Sequence, residues 1–467
     1  MALATSTDVM GELANYPSQL WCNRTKVLVM STKDEVLAAV KDRGVGTVDL
    51  WFTDITGEVI SVTLPADRLE QVLKHGAHFD GSALDGFARV AESDMLLIPD
   101  PQTFRVLPWE SGGTKVARLI CSIHTINGDP FVGDPRTVLM NMADEARELG
   151  FAFVIGMELE FYLFKTDADG KPILHSPTDQ ASYFDMSGDS SQAIRREMLA
   201  MLAQLDIPVT STHSEIGHGQ HEIDLGHGSA LLSADNLLTA RVALKHVAAL
   251  HGLYCTFMPR PLAEMPGSGM HTHQSLHDVE THANVFANPD DEYGLSDIAK
   301  QFLAGQLQHA RAMCAVLAPL VNSYKRLGTS VEAPVQVTWA HINRGALIRV
   351  PGTSARLELR CPDPSANPYL AAAVMLAAGL DGIRNRLALP APLEETMVSV
   401  AAKRRQISGI LPRSLGEALE ELEQDDILLS ALGPYVSDRY IEAKKQEYRE
   451  YKRQVTAWEI ERYLGRY

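Results

Sequence analysis

The sequence predicts an α+β protein of two domains behind a short N-terminal extension. Three observations predict it. Short strand and helix patterns fill a first stretch of about 100 residues, an ordinary domain size. Gly133-Asp134-Pro135 then marks a boundary, because Asp134 is a good N-cap and Pro135 suits the first helical position. Beyond it strands recur as far as Cys361, and from residue 368 onward the chain is helical. The divisions are residues 1–31 as extension, 32–133 as the first domain and 134–467 as the second.

Taken in order, residues 1–31 are irregular and polar-mixed. Residues 33–43 suit a helix closed by Gly44. Residues 47–53 and 58–64 are strands flanking the turn Asp54-Ile55-Thr56-Gly57. Residues 66–75 suit a helix, and 79–87 form a loop rich in glycine and acid. Strands follow at 95–98, 104–108 and 116–122. The second domain begins with a helix over 135–149, stopped by Gly150. Helices are expected at 190–205 and 233–251, and strands at 156–164, 207–215, 220–225, 254–258 and 269–276. Residues 295–326 form a long helical stretch, bent or split at Pro319. Strands recur at 334–340, 346–350 and 355–361, before helices at 368–385, 414–422 and 436–464.

The 467 residues carry a formal charge of −17, which argues against a nucleic-acid partner or an anionic membrane surface. Five scattered cysteines with no CxxC pair suit a reducing compartment and give no sign of a zinc site. No run of about 18 apolar residues is present. These features predict a cytoplasmic protein.

The strand Gly156-Met157-Glu158-Leu159-Glu160-Phe161-Tyr162-Leu163-Phe164 carries the first chemical signal. Side chains alternate along a strand, so Glu158 and Glu160 share a face. That pair alone reads equally well as a solvated face or as a metal site. Three further strands repeat the pattern. His271, His273 and Ser275 share one face; Arg356, Glu358 and Arg360 share another; Glu215 and Glu222 add two carboxylates. A wet antiparallel sheet normally mixes Lys, Thr and Gln rather than acids, histidine and arginine. Lined up in a curved sheet, these residues make an acidic concave side. Carboxylates with one imidazole suit Mg²⁺ or Mn²⁺ better than zinc, and the number of acids points to two or more ions. Arg326, Arg344, Arg349, Arg356 and Arg360 add forks for an anionic, phosphate-bearing substrate. Neither a P-loop nor a dinucleotide-binding glycine pattern is present. The histidines His213, His218, His221 and His227 lack HExxH spacing and read mostly as turn and surface residues.

At this point an ordered series of blocks resembles the glutamine synthetase type I family. The blocks are Phe79-Asp80-Gly81-Ser82, Glu158-Leu159-Glu160-Phe161, His213-Ser214-Glu215, Gly219-Gln220-His221-Glu222, Gly267-Ser268-Gly269-Met270-His271, Asn322-Ser323-Tyr324-Lys325-Arg326, Glu332-Ala333-Pro334, Asn343-Arg344 and Asn367-Pro368-Tyr369-Leu370. The resemblance implies a β-grasp N-terminal domain, a catalytic domain with a curved antiparallel sheet, and a dodecamer whose active sites are shared between subunits. It implies that Glu160, Glu215 and Glu222 hold one divalent ion and that Glu158, His271 and Glu358 hold the other. Arg326 and Arg360 would grip glutamate, with Gly267 beside them. Arg344 and Arg349 would stabilise the transferring phosphoryl group of ATP, and His273, Ser275 and Arg356 would line the nucleotide site. Asp80 of a neighbouring subunit would take a proton from the amine, and Glu332 would close over the glutamate. The implied reaction converts the γ-carboxylate to an acyl phosphate, which an unprotonated amine displaces.

Several positions depart from the ammonia-using pattern. Met157 and Leu159 stand where prolines are usual, Ala83 replaces a second serine, and Pro266 replaces an asparagine. The flap reads Gly328-Thr329-Ser330-Val331, Ser214 replaces a histidine, and Thr210 replaces a glutamate. Val398 stands at the adenylylated tyrosine, so that control is not expected. Asp80, Tyr183, Glu215 and Glu332 retain an acidic ammonium pocket, while Ala83 and Val331 make its entrance smaller and more apolar. The favoured reading is a γ-glutamyl-amide synthetase using an organic monoamine, with glutamine synthetase using ammonia as the alternative. A non-catalytic nucleotide-sensing paralogue should have lost metal ligands, and all six are present. A metal-dependent hydrolase would not need the glutamate-gripping arginines.

Overall fold

The computed structural model describes residues 32–83, 94–179, 181–183, 185, 190–328, 333–352, 354–394 and 409–467. Thr32 and Glu35 bond each other's backbone N–H reciprocally, which starts helix α1 (Lys33–Arg43), and left-handed Gly44 ends it. Strands β1 (Val45–Thr53) and β2 (Val59–Pro65) form the expected hairpin. Asp54 closes its turn by accepting from the backbone N–H groups of Thr56, Gly57 and Glu58. Helix α2 (Leu69–His75) leads to β3 (Ala77–Asp80), β4 (Asp94–Pro99), β5 (Arg105–Ser111) and β6 (Thr114–Thr125). The six strands run in the order β2-β1-β6-β4-β3, with β5 on β6, and only β1 and β6 are parallel. Residues 77–80, the last two of which were expected to be loop, form an edge strand that includes Asp80, and Gly81 opens the turn after it.

The second sheet is built on β7 (Phe151–Thr166), which changes partners along its length. Helix α3 (Pro135–Glu148) precedes it, capped by Asp134 as the sequence predicts. After β7 come β8 (Pro172–Pro177), α4 (Gln192–Gln204), β9 (Val209–Ser214), β10 (Gln220–Leu225), β11 (Gly228–Ser229), α5 (Ala230–Leu250), β12 (Leu253–Thr256) and β13 (Thr272–Asp278). Strands β8, β10, β11, β12 and β13 all pair with β7, antiparallel. The sheet continues to β9 on one side and, beyond β13, to β16, β15 and β14 on the other. These last three are β14 (Trp339–Ala340), β15 (Ile348–Arg349) and β16 (Leu357–Leu359). All are shorter than expected. Residues 335 and 337 pair instead with the irregular backbone at Leu411 and Gly409, and Trp339 with Leu393.

The expected helical stretch over 295–326 is three helices, α6 (Asp297–Gln308), α7 (Ala310–Leu317) and α8 (Ser323–Arg326). One break lies near Pro319. The other is at His309, whose ring nitrogens reach Asp425 at 2.6 Å and Asp381 at 3.0 Å. Helix α9 (Pro368–Arg384) is buried from Pro368 to Gly382, the pattern of a central core helix. Its N-cap, Asn367, bonds Tyr369 and Leu370 N–H through its side-chain oxygen and donates to the carbonyls of Asp54 and Ile55. One amide therefore joins the first domain's hairpin to the core helix. Gly57 is required there: its φ is +91°, and a Cβ would sit 2.7 Å from Asn367 Cα. Helices α10 (Leu415–Leu422), α11 (Asp426–Lys452) and α12 (Ala457–Tyr463) finish the chain. Helix α11 starts ten residues before the expected 436, bends at Gly433-Pro434 and stops short of α12, which Thr456 and Glu459 restart with a reciprocal cap.

Candidate metal and phosphoryl-transfer site

The register of the second sheet puts acids side by side. Glu222 of β10 pairs with Glu160 of β7, and Asp224 pairs with Glu158. On the other side of β7, the backbone of Glu158 bonds that of His271, and His273 pairs with Glu358. Alternation then turns the intervening residues into the core: Leu159, Ile223, Leu276 and Leu357 are all fully buried.

Three groups of donors lie with their ligand atoms within 4.8 Å of one another among the described residues. One is Glu158, His271 and Glu358, the set that the resemblance implies for one ion. The second is His213, Glu215 and Glu222; the third is Glu158, Glu222 and Asp224. Glu160 is in none of them. Its carboxylate accepts from Gln220 Nε2 at 3.1 Å and Gly269 N at 2.9 Å, while His213 stands between Glu215 and Glu222, 3.4 and 3.6 Å away. The histidine expected to be a turn or surface residue is thus inside the acidic cluster. His221, expected alike, is fully buried against Arg195. Both follow from period 2 in a strand, which places His213 opposite Glu222 and His221 on the core side of β10.

The charges are crowded. Burial, then Glu160 beside it, pushes Glu222 far above the ordinary carboxylate range. Burial also works against Glu158, but bonds from His271 at 2.9 Å and His273 at 2.7 Å hold it far below that range. Glu358 is 1% exposed; burial opposes its charge, and Arg360 and His271 outweigh that and lower its pKa. Its two oxygens are held by Arg349, at 2.8 Å, and by Arg360. The donor sets are carboxylates with an imidazole, in a cluster whose like charges a cation would relieve, so they fit Mg²⁺ or Mn²⁺.

The other expected residues fall as follows. Arg326 is buried, with its guanidinium on the carbonyls of Arg360, Cys361 and Pro362. Gly267 packs on it: a Cβ there would be 2.5 Å from the Pro259 carbonyl and 2.7 Å from Arg326 Cγ. Arg356 donates to His273 at 3.0 Å, and Ser275 is buried at 3.2 Å from His277. Tyr183 sits edge-on to His213, with ring centroids 5.5 Å apart. Burial and then Glu215 raise its pKa, and a hydrogen bond with Arg344 acts the other way. Asp80 lies on the first sheet, exposed, accepting from Ser82. Glu332, Val331 and Val398 lie outside the described residues. Sequence reasoning missed His213, Asp224 and Gln220; the alternation on β9 and β10 was the available signal.

Comparison with known proteins finds matches over most of the chain. The profile of the glutamine synthetase catalytic domain matches residues 132–463, and that of the glutamine synthetase β-grasp domain matches residues 44–126. A glutamine synthetase of Halobacterium salinarum is 46% identical over 92% of this chain and 96% of its own. One of Clostridium saccharobutylicum is 43% identical over 93% of this chain and 99% of its own. Among solved structures, a GmaS/ADP complex superposes with a TM-score of 0.84 at 33% identity, covering 92% of this chain and 99% of that one.

Proposed function

The chain belongs to the glutamine synthetase family, and we propose that it uses ATP to activate the γ-carboxylate of L-glutamate and joins it to an organic monoamine. The observation that carries the ligase reading is the pair of donor groups on one sheet, Glu158/His271/Glu358 and His213/Glu215/Glu222, flanked by Arg349, Arg360 and Arg344. Divalent ions held there supply charge neutralisation to phosphate oxygens. Glu160, within hydrogen-bond reach of Gln220 and Gly269, joins Glu215 and Glu222 in this reading once an ion is present. Arg326, Arg360 and Gly267 form the glutamate end, and Arg344 and Arg349 the phosphoryl end, with His273, Ser275 and Arg356 beside the nucleotide. Tyr183 and Glu215 line the amine pocket. Asp80 of another subunit and Glu332 complete it, in a homo-oligomer that we take to be a dodecamer.

The monoamine rests on the sequence departures, chiefly Pro266, whose carbonyl receives the Tyr162 hydroxyl at 2.7 Å. A proline there has neither an N–H nor a polar side chain to offer a substrate. Ammonia is the second reading, favoured by relatives more than 40% identical that are named glutamine synthetase. Phosphate release from ATP and glutamate, measured with ammonium and with a panel of amines, decides between them. The expected result is fastest turnover with a monoamine. Turnover with ammonium alone overturns the monoamine, and no turnover with any amine overturns the ligase.

A further inference from the structure

Gln220 opens β10 and is 1% exposed. Its amide nitrogen donates to Glu160 Oε2 at 3.1 Å and to the Gly267 carbonyl at 3.1 Å. Its amide oxygen accepts from Gly217 N–H at 3.1 Å and lies 3.2 Å from the Tyr162 hydroxyl, which it shares with the Pro266 carbonyl. Both donors and both lone pairs of the amide are therefore used. Only one orientation of the amide fits. The reverse would set its NH₂ against the Gly217 N–H and its oxygen against a carboxylate and a carbonyl. Its backbone takes part too, since the Gln220 carbonyl accepts from Glu215 N–H at 2.9 Å.

We propose that Gln220 is a positioning residue that locks Glu160 to the Pro266–Gly267 turn, so that the metal-binding and glutamate-binding ends of the cleft are set by one side chain. Two donors on Oε2, from Gln220 and Gly269, fix the Glu160 carboxylate, and neither of them occupies Oε1. The same amide holds the turn that packs on Arg326, the residue assigned to the glutamate carboxylates. A bond to a ligating carboxylate from outside the coordination sphere is worth about 10–100-fold in metal affinity or activity. The proposal rests on the metal and glutamate assignments of the preceding subsection.

The test uses the full-length protein and Mn²⁺ itself. Binding is read from the electron paramagnetic resonance of free Mn²⁺, and the KM for glutamate is measured alongside. Gln220→Met keeps the length and removes every side-chain bond. It should weaken Mn²⁺ binding by about tenfold and raise the glutamate KM by a similar factor. Tyr162→Phe keeps the ring and frees the Pro266 carbonyl. It should raise the glutamate KM severalfold while Mn²⁺ affinity stays within twofold. A folded Gln220→Met protein with both values within twofold of wild type overturns the proposal. If that variant does not fold, an unchanged glutamate KM in Tyr162→Phe overturns it. Glu160→Ala separates the two levels: unchanged Mn²⁺ affinity there refutes the metal assignment, whereas a loss there without one in Gln220→Met refutes only the positioning role.

Discussion

Strand β13 carries His273 and Ser275 on one face and the buried amide of Gln274 on the other, and the pairing of that amide with Gln306 of α6 gives a quantitative test of what holds the strand in place. Gln274 and Gln306 are each fully buried and bond reciprocally, at 3.2 and 2.6 Å, and Gln306 also donates to the Met375 carbonyl of α9 at 2.9 Å. Gln306→Met, nearly the same shape, leaves the Gln274 nitrogen and oxygen without those partners in an apolar setting. Each orphaned group costs about 1–3 kcal/mol, and with the Met375 carbonyl losing the same donor the single variant should lose about 6 kcal/mol. That is a large part of the roughly 5–15 kcal/mol by which folded domains are stable. Replacing Gln274 with Met as well removes both amides together and leaves only the Met375 carbonyl short of a donor. The double variant should therefore be more stable than the Gln306→Met single by about 4 kcal/mol, the cost of the two Gln274 groups, because the Met375 carbonyl is short of that donor in both. Urea unfolding followed by circular dichroism, on all four proteins at one concentration, measures the cycle. Additive losses would show that the amides contribute independently and that the reasoning is wrong.

Three further outcomes follow from the site and its supports. Gly267→Ala should raise the glutamate KM at least tenfold and cost about 1–3 kcal/mol of stability, because the new methyl meets the fixed Pro259 carbonyl; an unchanged KM, measured by steady-state kinetics, argues against this turn as part of the glutamate site. Glu358→Gln should weaken Mn²⁺ binding and suppress turnover, since it removes a donor and the counter-charge of Arg349 and Arg360; near-normal values in a Mn²⁺ titration and a phosphate-release assay would refute that. Burial lowers the pKa of His309, but Asp425 and Asp381 outweigh it and raise it above the ordinary value. Its contribution is complete below about pH 6.5 and is lost as pH rises through the raised folded value. Melting temperatures across pH 6–9 should therefore fall more steeply for wild type than for His309→Gln, and parallel curves would count against the ion-paired imidazolium.

Much of this arrangement was legible in the residues. Asp134-Pro135 marks the start of α3 because capping is local chemistry, and the hairpin at Asp54 follows for the same reason. Glu158, His271 and Glu358 could be gathered from strand alternation, and they lie together. Long-range geometry was not legible. The break at His309 depends on two aspartates 72 and 116 residues away in sequence. The short strands β14 and β15 have extended neighbours that pair with backbone near Leu393 and Gly409, which no local pattern announces. His213 looked like a turn residue until the register of β9 on β10 set it opposite Glu222.

The partner-switching of β7 has a consequence for synthesis of the chain. Every strand that completes the sheet beside β7 lies C-terminal to it, and β16, which brings Glu358, is the last. Elongation at about 5–20 residues per second separates Glu158 from Glu358 by roughly 10–40 s. During that interval the acids of β7 and β10 emerge without the arginine-braced carboxylate. A ribosome-bound fragment ending before β16 is therefore expected to lack the Glu358 side of the site and to be unable to expend nucleotide. The order of the strands makes competence a property of the nearly finished polypeptide.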